Sequence, residues 1–116
     1  MKLLPTLRQK KRYVVFAIVS DKKFSFPDLK TAVENSWQQF WGDFGKAKAA
    51  PLLLKEKFNQ DRQRFLVKVN HKHVDELKAA LTLNKKIKNT PVILKSIITS
   101  GTLKKASSYL TINEVK

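Results

Sequence analysis

Two histidines and two carboxylates crowd one short stretch, His71-Lys72-His73-Val74-Asp75-Glu76, and these are the residues most able to do chemistry. A zinc site needs three or four ligands at defined spacing, and the chain has no cysteine and no carboxylate at such spacing from the histidines. Asp75 and Glu76 are adjacent, so on a helix they diverge by about 100° and make a poor proton-sharing pair. The histidines read as cap or surface groups near a helix start, and Asp75 and Glu76 as acids that favour its N-terminal turn. The three glycines, Gly42, Gly45 and Gly101, are too scattered to form a phosphate-cradling loop. No side-chain constellation for catalysis or metal binding is recognisable, and no cofactor is expected to bind this chain.

Charge is the stronger signal. Twenty-four Lys and Arg against nine Asp and Glu give +15. Residues 1–23 hold seven basic and one acidic residue, residues 24–83 ten and seven, and residues 84–116 seven and one. A nearly balanced middle with cationic ends suggests a folded scaffold that presents basic segments to a polyanion, and nucleic acid is the expected partner. The candidate phosphate contacts are Arg8, Lys10, Lys11 and Arg12 in the first segment, Lys46 and Lys48 in a loop, and Lys104 and Lys105 near the end. Such contacts give affinity and shape recognition with little reading of base sequence. Neither basic end carries an apolar stripe suited to a membrane surface, and no run approaches the roughly 20 apolar residues of a membrane span. A cytoplasmic location is expected.

The elements that must position these cations follow from periodicity. Residues 1–11 read as a basic arm with Pro5 against early helix. Tyr13–Val19 is β-branched and aromatic, a strand apolar on both faces and therefore central. Ser25 reads as a helix cap with Pro27 in the first turn and Asp28 completing a weak capping box. Phe26, Leu29, Val33, Trp37, Phe40 and Phe44 recur at helical spacing, predicting a helix that ends near Gly42, with its aromatic stripe in the core and not stacked on bases. Leu52–Phe58 and Arg64–Val69 predict a hairpin joined by Asn59–Arg62. Asn70 can cap a second helix through Val74, Leu77, Ala80 and Leu81. Residues 84–90 read as a basic loop, Pro91–Ile98 as a fourth strand, residues 102–110 as a short helix, and residues 111–116 as a flexible tail.

The predicted class is α+β: a ferredoxin-like, RRM-like β-α-β-β-α-β sandwich, with a four-stranded antiparallel sheet and an added C-terminal helix, in one domain over residues 12–110. An RRM reads bases with aromatics on its two central strands, including a basic-Gly-aromatic signature in the third strand. Arg64-Phe65-Leu66-Val67-Lys68-Val69 lacks that glycine and has one aromatic. Base stacking on the open sheet is not expected, and the C-terminal helix is the candidate to cover that face.

Several stretches, in order along the chain, resemble protein component 2 of archaeal ribonuclease P, the small RRM-like subunit. They are Leu4-Pro-Thr-Leu-Arg8 with Lys10-Lys-Arg-Tyr13, Gly42-x-x-Gly45-x-Ala47-Lys48-Ala49, Val67-x-Val69 through His73-Val74-x-Glu76-Leu77 and Ala80-Leu81-Thr82-Leu83, and Ser100-Gly101-Thr102-Leu103-Lys104-Lys105. Where the family pattern has Arg, Cys and a further Arg, this chain has Lys68, Val69 and His71, so a point charge replaces a bidentate fork at Lys68. The resemblance implies an RNA-binding cofactor to the ribonuclease P RNA in removal of the 5′ leader from precursor tRNA. It further implies catalytic Mg²⁺ held by that RNA, a TIM-barrel-like protein partner, and a homodimer within a heterotetramer as an allowed arrangement. The rival readings are a ribosomal or other ribonucleoprotein structural protein, and a ferredoxin-like domain that binds a small anion.

Overall fold

The computed structural model describes residues 10–111. Arg8, most of the arm assigned to residues 1–11, and the tail after Thr111 lie outside the described residues. Strand β1 (Lys11–Val19) leads to helix α1 (Phe26–Ala49), a short β2 (Leu52–Leu53), β3 (Arg64–Asn70) and helix α2 (Val74–Thr82). A small hairpin of β4 (Lys86–Ile87) and β5 (Thr90–Pro91), then β6 (Ile93–Ser100) and helix α3 (Leu103–Ser108), complete the order.

The main sheet runs β2-β3-β1-β6. The run of apolar residues on both faces of β1 requires a central position, and β1 takes it: β3 pairs antiparallel on one side and β6 antiparallel on the other. Alternation then sorts its side chains. Val14, Phe16 and Ile18 face α1 and α2, in a core with Leu29, Val33, Trp37, Phe65, Val67, Val69, Leu77 and Leu81. Phe16 and Phe65 stack there with ring centroids 5.4 Å apart. Val15 points the other way and is buried with Leu66 beneath Ala106 and Leu110. The C-terminal helix therefore covers the face that an RRM leaves open, and the predicted sandwich with its added helix is the observed one.

Several boundaries depart from expectation. The sequence predicts a second strand over Leu52–Phe58, but the ladder holds only Leu52 and Leu53, opposite Lys68 and Val67, with one further bond from the Leu54 amide to the Leu66 carbonyl. Lys55–Lys57 coils into a single 3-10 turn, which β3 cannot pair with. Helix α1 does not end near Gly42. Gly42 adopts φ +67°, ψ −172°, a left-handed conformation open to glycine, and the helix resumes beyond that kink to Ala49. Lys46 and Lys48 thus lie in the last turn of α1, not in a loop. Asn70 caps the 3-10 turn His71–His73, its Oδ1 accepting from the Lys72 amide at 3.1 Å, and α2 begins only at Val74. The basic loop folds into the β4–β5 hairpin, and the last strand of the main sheet starts at Ile93 and not at Pro91. Lys11, assigned to the arm, is the first residue of β1, and α3 is shorter than residues 102–110.

The aromatic stripe of α1 is only partly core. Leu29, Val33 and Trp37 are buried, whereas Phe40 is 41% and Phe44 88% exposed. From Trp37 the inward face passes to Trp41, four residues on, which packs against the core in place of Phe40. The kink at Gly42 then rotates the final turns, so that Gly45 sits against the Trp41 side chain, where a Cβ would approach to 2.8 Å. Phe44 is turned to solvent.

Two polar anchors hold the connections to this frame. Gln63 is buried, accepts from the Phe24 amide at 2.7 Å, and donates to the carbonyls of Phe24 and Gln60. Lys88, in the β4–β5 turn, pairs with Asp28 in the first turn of α1 at 3.2 Å. That ammonium, with lesser help from Ser25, holds the Asp28 carboxyl below its usual range against the opposing effect of burial.

Candidate nucleic-acid interface

The N-terminal end of β1 is where the cationic segments meet. Lys11 lies opposite Asn70 and Arg12 opposite Val69, so the end of β3 delivers the His71–His73 turn beside Lys10. The His71 amide donates to the Lys10 carbonyl at 2.9 Å. The Asn70 side-chain amide reaches the Lys48 carbonyl at 3.5 Å, bringing the last turn of α1, with Lys46 and Lys48, to the same corner.

On the other flank Tyr13 lies opposite Ser100, and the chain turns at Gly101 into α3. The Arg12 guanidinium lies against Gly101, where a Cβ would meet its Nη1 at 3.4 Å. Ser100 Oγ accepts from the Thr102 amide, and Thr102 Oγ1 caps the helix by accepting from the Lys105 amide. Those two hydroxyls fix the turn, and with it the first turn of α3 that carries Lys104 and Lys105. Three chain segments, remote in sequence, thus place Lys10, Lys11, Arg12, Lys46, Lys48, Lys104 and Lys105 at one end of the sheet, beside the His71–His73 turn. Arg8 is the one candidate outside the described residues.

Among the described residues, none of these seven cations is in an ion pair; the pairs formed are His73–Glu76 and Lys88–Asp28. An unneutralised cluster of this kind attracts phosphate through bulk potential and counterion release. Two members were missed from sequence. Lys68 lies opposite Tyr13 and Leu52 on the α3 side of the sheet, and Lys72 is exposed in the turn. The alternation of β3 could have revealed Lys68, because Phe65, Val67 and Val69 claim the opposite face.

His71, His73 and Glu76 have structural work: His71 Nδ1 lies 3.2 Å from the Lys10 carbonyl. His73 Nδ1 is 3.2 Å from Glu76 Oε2, and Trp41 Nε1 donates to Glu76 Oε1 at 2.7 Å. Glu76 therefore joins the two helices at the kink of α1. The Trp41 hydrogen bond first, then His73, holds its carboxyl below the usual range. Since the folded-state value is depressed, the contribution is complete above the unfolded-chain value of about 4.3 and vanishes as pH falls through the lower folded one. Glu76→Gln is expected to melt lower than the parent at pH 7 and to lose less stability on acidification, measured as the melting temperature between pH 7 and pH 3. Equal acid losses in the two proteins would remove Glu76 from this role. Among the described residues, no group of three or more His, Cys, Asp or Glu side chains is gathered to hold a metal ion.

The centre of the sheet face is taken by α3. Val15 and Leu66, at its centre, are fully buried under α3, and Arg64 donates to the Tyr109 carbonyl at 2.8 Å, tying down the end of that helix. No helix of the described residues is long and apolar enough to cross a membrane.

Fold and surface together define a small RRM-like α+β protein whose sheet centre is covered by its own helix and which gathers seven of its cations at one end. A family model described as the Rpp14/Pop5 family matches residues 12–111, and the chain belongs to that family. It is 37% identical over 103 residues to ribonuclease P protein component 2 of Thermococcus kodakarensis, covering 89% of this chain and 84% of that one. The protein of the same name from Methanocaldococcus jannaschii is 31% identical over 115 residues, covering 98% of this chain and 83% of its own length. The fold is also similar to a chain in the cryo-EM structure of yeast ribonuclease MRP, with a TM-score of 0.63 at 13% identity over 95% of this chain and 89% of that chain.

Proposed function

We propose that this protein is the RNA-binding protein subunit of ribonuclease P and serves the catalytic RNA as a cofactor in removing the 5′ leader from precursor tRNA. The observation that carries the reading is the convergence of seven cations from three segments, none of them in an ion pair among the described residues, in a chain of the Rpp14/Pop5 family. Charge at this end offsets repulsion between phosphates that RNA folding brings together. The chemistry, on this reading, belongs to the RNA and its Mg²⁺, and the protein works in the cytoplasm in a complex with that RNA and a TIM-barrel-like protein subunit. The test is reconstitution of precursor-tRNA cleavage from the RNA, the partner subunit and this protein. The protein alone is expected not to cleave at any Mg²⁺ concentration. Added to the RNA and partner, it should stimulate most where Mg²⁺ is scarce, the effect shrinking as Mg²⁺ rises. Replacing both His71 and His73 by Ala should leave the chemical rate at saturating Mg²⁺ unchanged, since loss of a general acid or base typically costs about 10²–10⁴-fold. A loss of that size in a folded, RNA-bound variant would overturn the reading.

A further inference from the structure

We infer that Phe44 is a stacking platform for an unpaired nucleobase at the edge of the cationic end, an inference that rests on the RNA-binding reading above. Phe44 is 88% exposed, the most exposed of the protein's large apolar side chains among the described residues. That exposure is built in. The kink at Gly42 resets the helix so that Gly45, not Phe44, packs on Trp41. A phenyl ring held out on a helix loses little side-chain freedom when a planar group lies on it, because only two torsions remain to be fixed.

Its neighbours specify the planar group. Lys48 follows by one helical turn, so the two side chains share a face of α1 with Cβ atoms about 5–6 Å apart. Lys46 is two residues away, and the Lys48 carbonyl is bonded to Asn70, the residue opposite Lys11. The nearest acid in sequence, Asp43, accepts from Gln38 Nε2 at 3.0 Å, so its carboxylate is engaged on its own helix. An aromatic ring beside unpaired ammonium groups is the combination that holds a single-stranded nucleotide: the ring takes the base and the cations take its phosphates. A protein partner's apolar patch would not need the lysines, and a purely double-helical RNA would not need the ring. Stacking of this kind tolerates any base, so the site selects unpaired nucleotides without reading their identity.

The experiment compares the full chain with Phe44→Ala, Phe44→Leu and Phe44→Trp in binding a ten-nucleotide oligoadenylate and a ten-base-pair RNA duplex, at fixed moderate salt. Phe44→Ala should weaken oligoadenylate binding by about 5- to 150-fold, the range of one lost base stack, and leave duplex binding within a factor of two. Phe44→Trp should retain parental affinity, whereas Phe44→Leu, apolar but unable to stack, should behave like Phe44→Ala. Urea midpoints should coincide throughout, since the side chain is outside the core. If the parent binds neither RNA, the RNA-binding reading itself fails. If the parent binds both and Phe44→Ala binds the oligoadenylate unchanged, RNA binding stands and the stacking inference is overturned. Full affinity in Phe44→Leu overturns stacking as well. So does unchanged RNA affinity combined with loss of assembly with the partner subunit, which would assign the ring to a protein surface.

Discussion

Replacement of Lys10, Lys11, Arg12, Lys104 and Lys105 by glutamine is expected to flatten the salt dependence of RNA binding by half or more and to remove stimulation of precursor-tRNA cleavage at low Mg²⁺. Each phosphate contact contributes on the order of 0.7–0.9 to the slope of log affinity against log salt. Loss of all five should flatten that slope by about 4. With six to ten contacts, the parent would lose about 10³–10⁵ in affinity between 50 and 200 mM salt, and the variant far less. The five side chains are half-buried or exposed and outside the core, so the variant should fold. Replacing Lys85, Lys86 and Lys88, which line a separate groove beside α1 and α2, removes three charges without touching the sheet end. Losses in proportion to the charges removed, five against three, would mean that net charge, not the converged cluster, drives binding. Unchanged binding in the five-residue variant would mean that the RNA lies elsewhere.

The second large effect is on stability. Trp37 is 3% exposed in the core between α1 and the sheet, and Trp37→Ala is expected to cost about 3–5 kcal/mol in urea unfolding. Among the described residues its indole Nε1 has no hydrogen-bond partner. Trp37→Phe removes that buried donor along with some volume, and should cost less than about 1.5 kcal/mol. RNA affinity of the folded fraction should be parental in both. A Trp37→Ala protein that unfolds like the parent and loses only RNA affinity would make this indole a base contact.

Trp37 also marks how far the sequence could be read. Strand β1 was legible because its β-branched and aromatic residues leave no polar side to expose, which permits only a central position. The spacing of Leu29, Val33 and Trp37 was legible for the same reason on a helix. Phe40 and Phe44 continue that spacing on paper, yet the three-dimensional stripe leaves them at Trp41 and at the kink of Gly42. A glycine inside a helical pattern signals either an end or a bend, and local sequence does not separate the two. The length of β2 was illegible in another way: Leu52–Leu54 and Phe58 have strand character on either side of Lys55–Lys57, and only the partner β3 decides how much of the segment pairs. For the candidate site, the cationic residue types were legible and their meeting was not, because it depends on the antiparallel register that sets Lys11 opposite Asn70 and Tyr13 opposite Ser100.

The cover that α3 places over Val15 and Leu66 bears on how protein and RNA change together over generations. A reader of base edges ties each of its contact residues to a particular nucleotide, so that neither can drift alone. A sheet whose face is occupied by its own helix imposes no such tie. Compensatory base-pair changes that preserve the RNA's backbone course leave the phosphate positions, and any unpaired base over Phe44, serviceable as they are. The RNA's sequence is then free to diverge between lineages without matching substitutions in this protein, and the protein's constraint falls on charge, on the turn at Gly101 and on the packing that holds α3 in place.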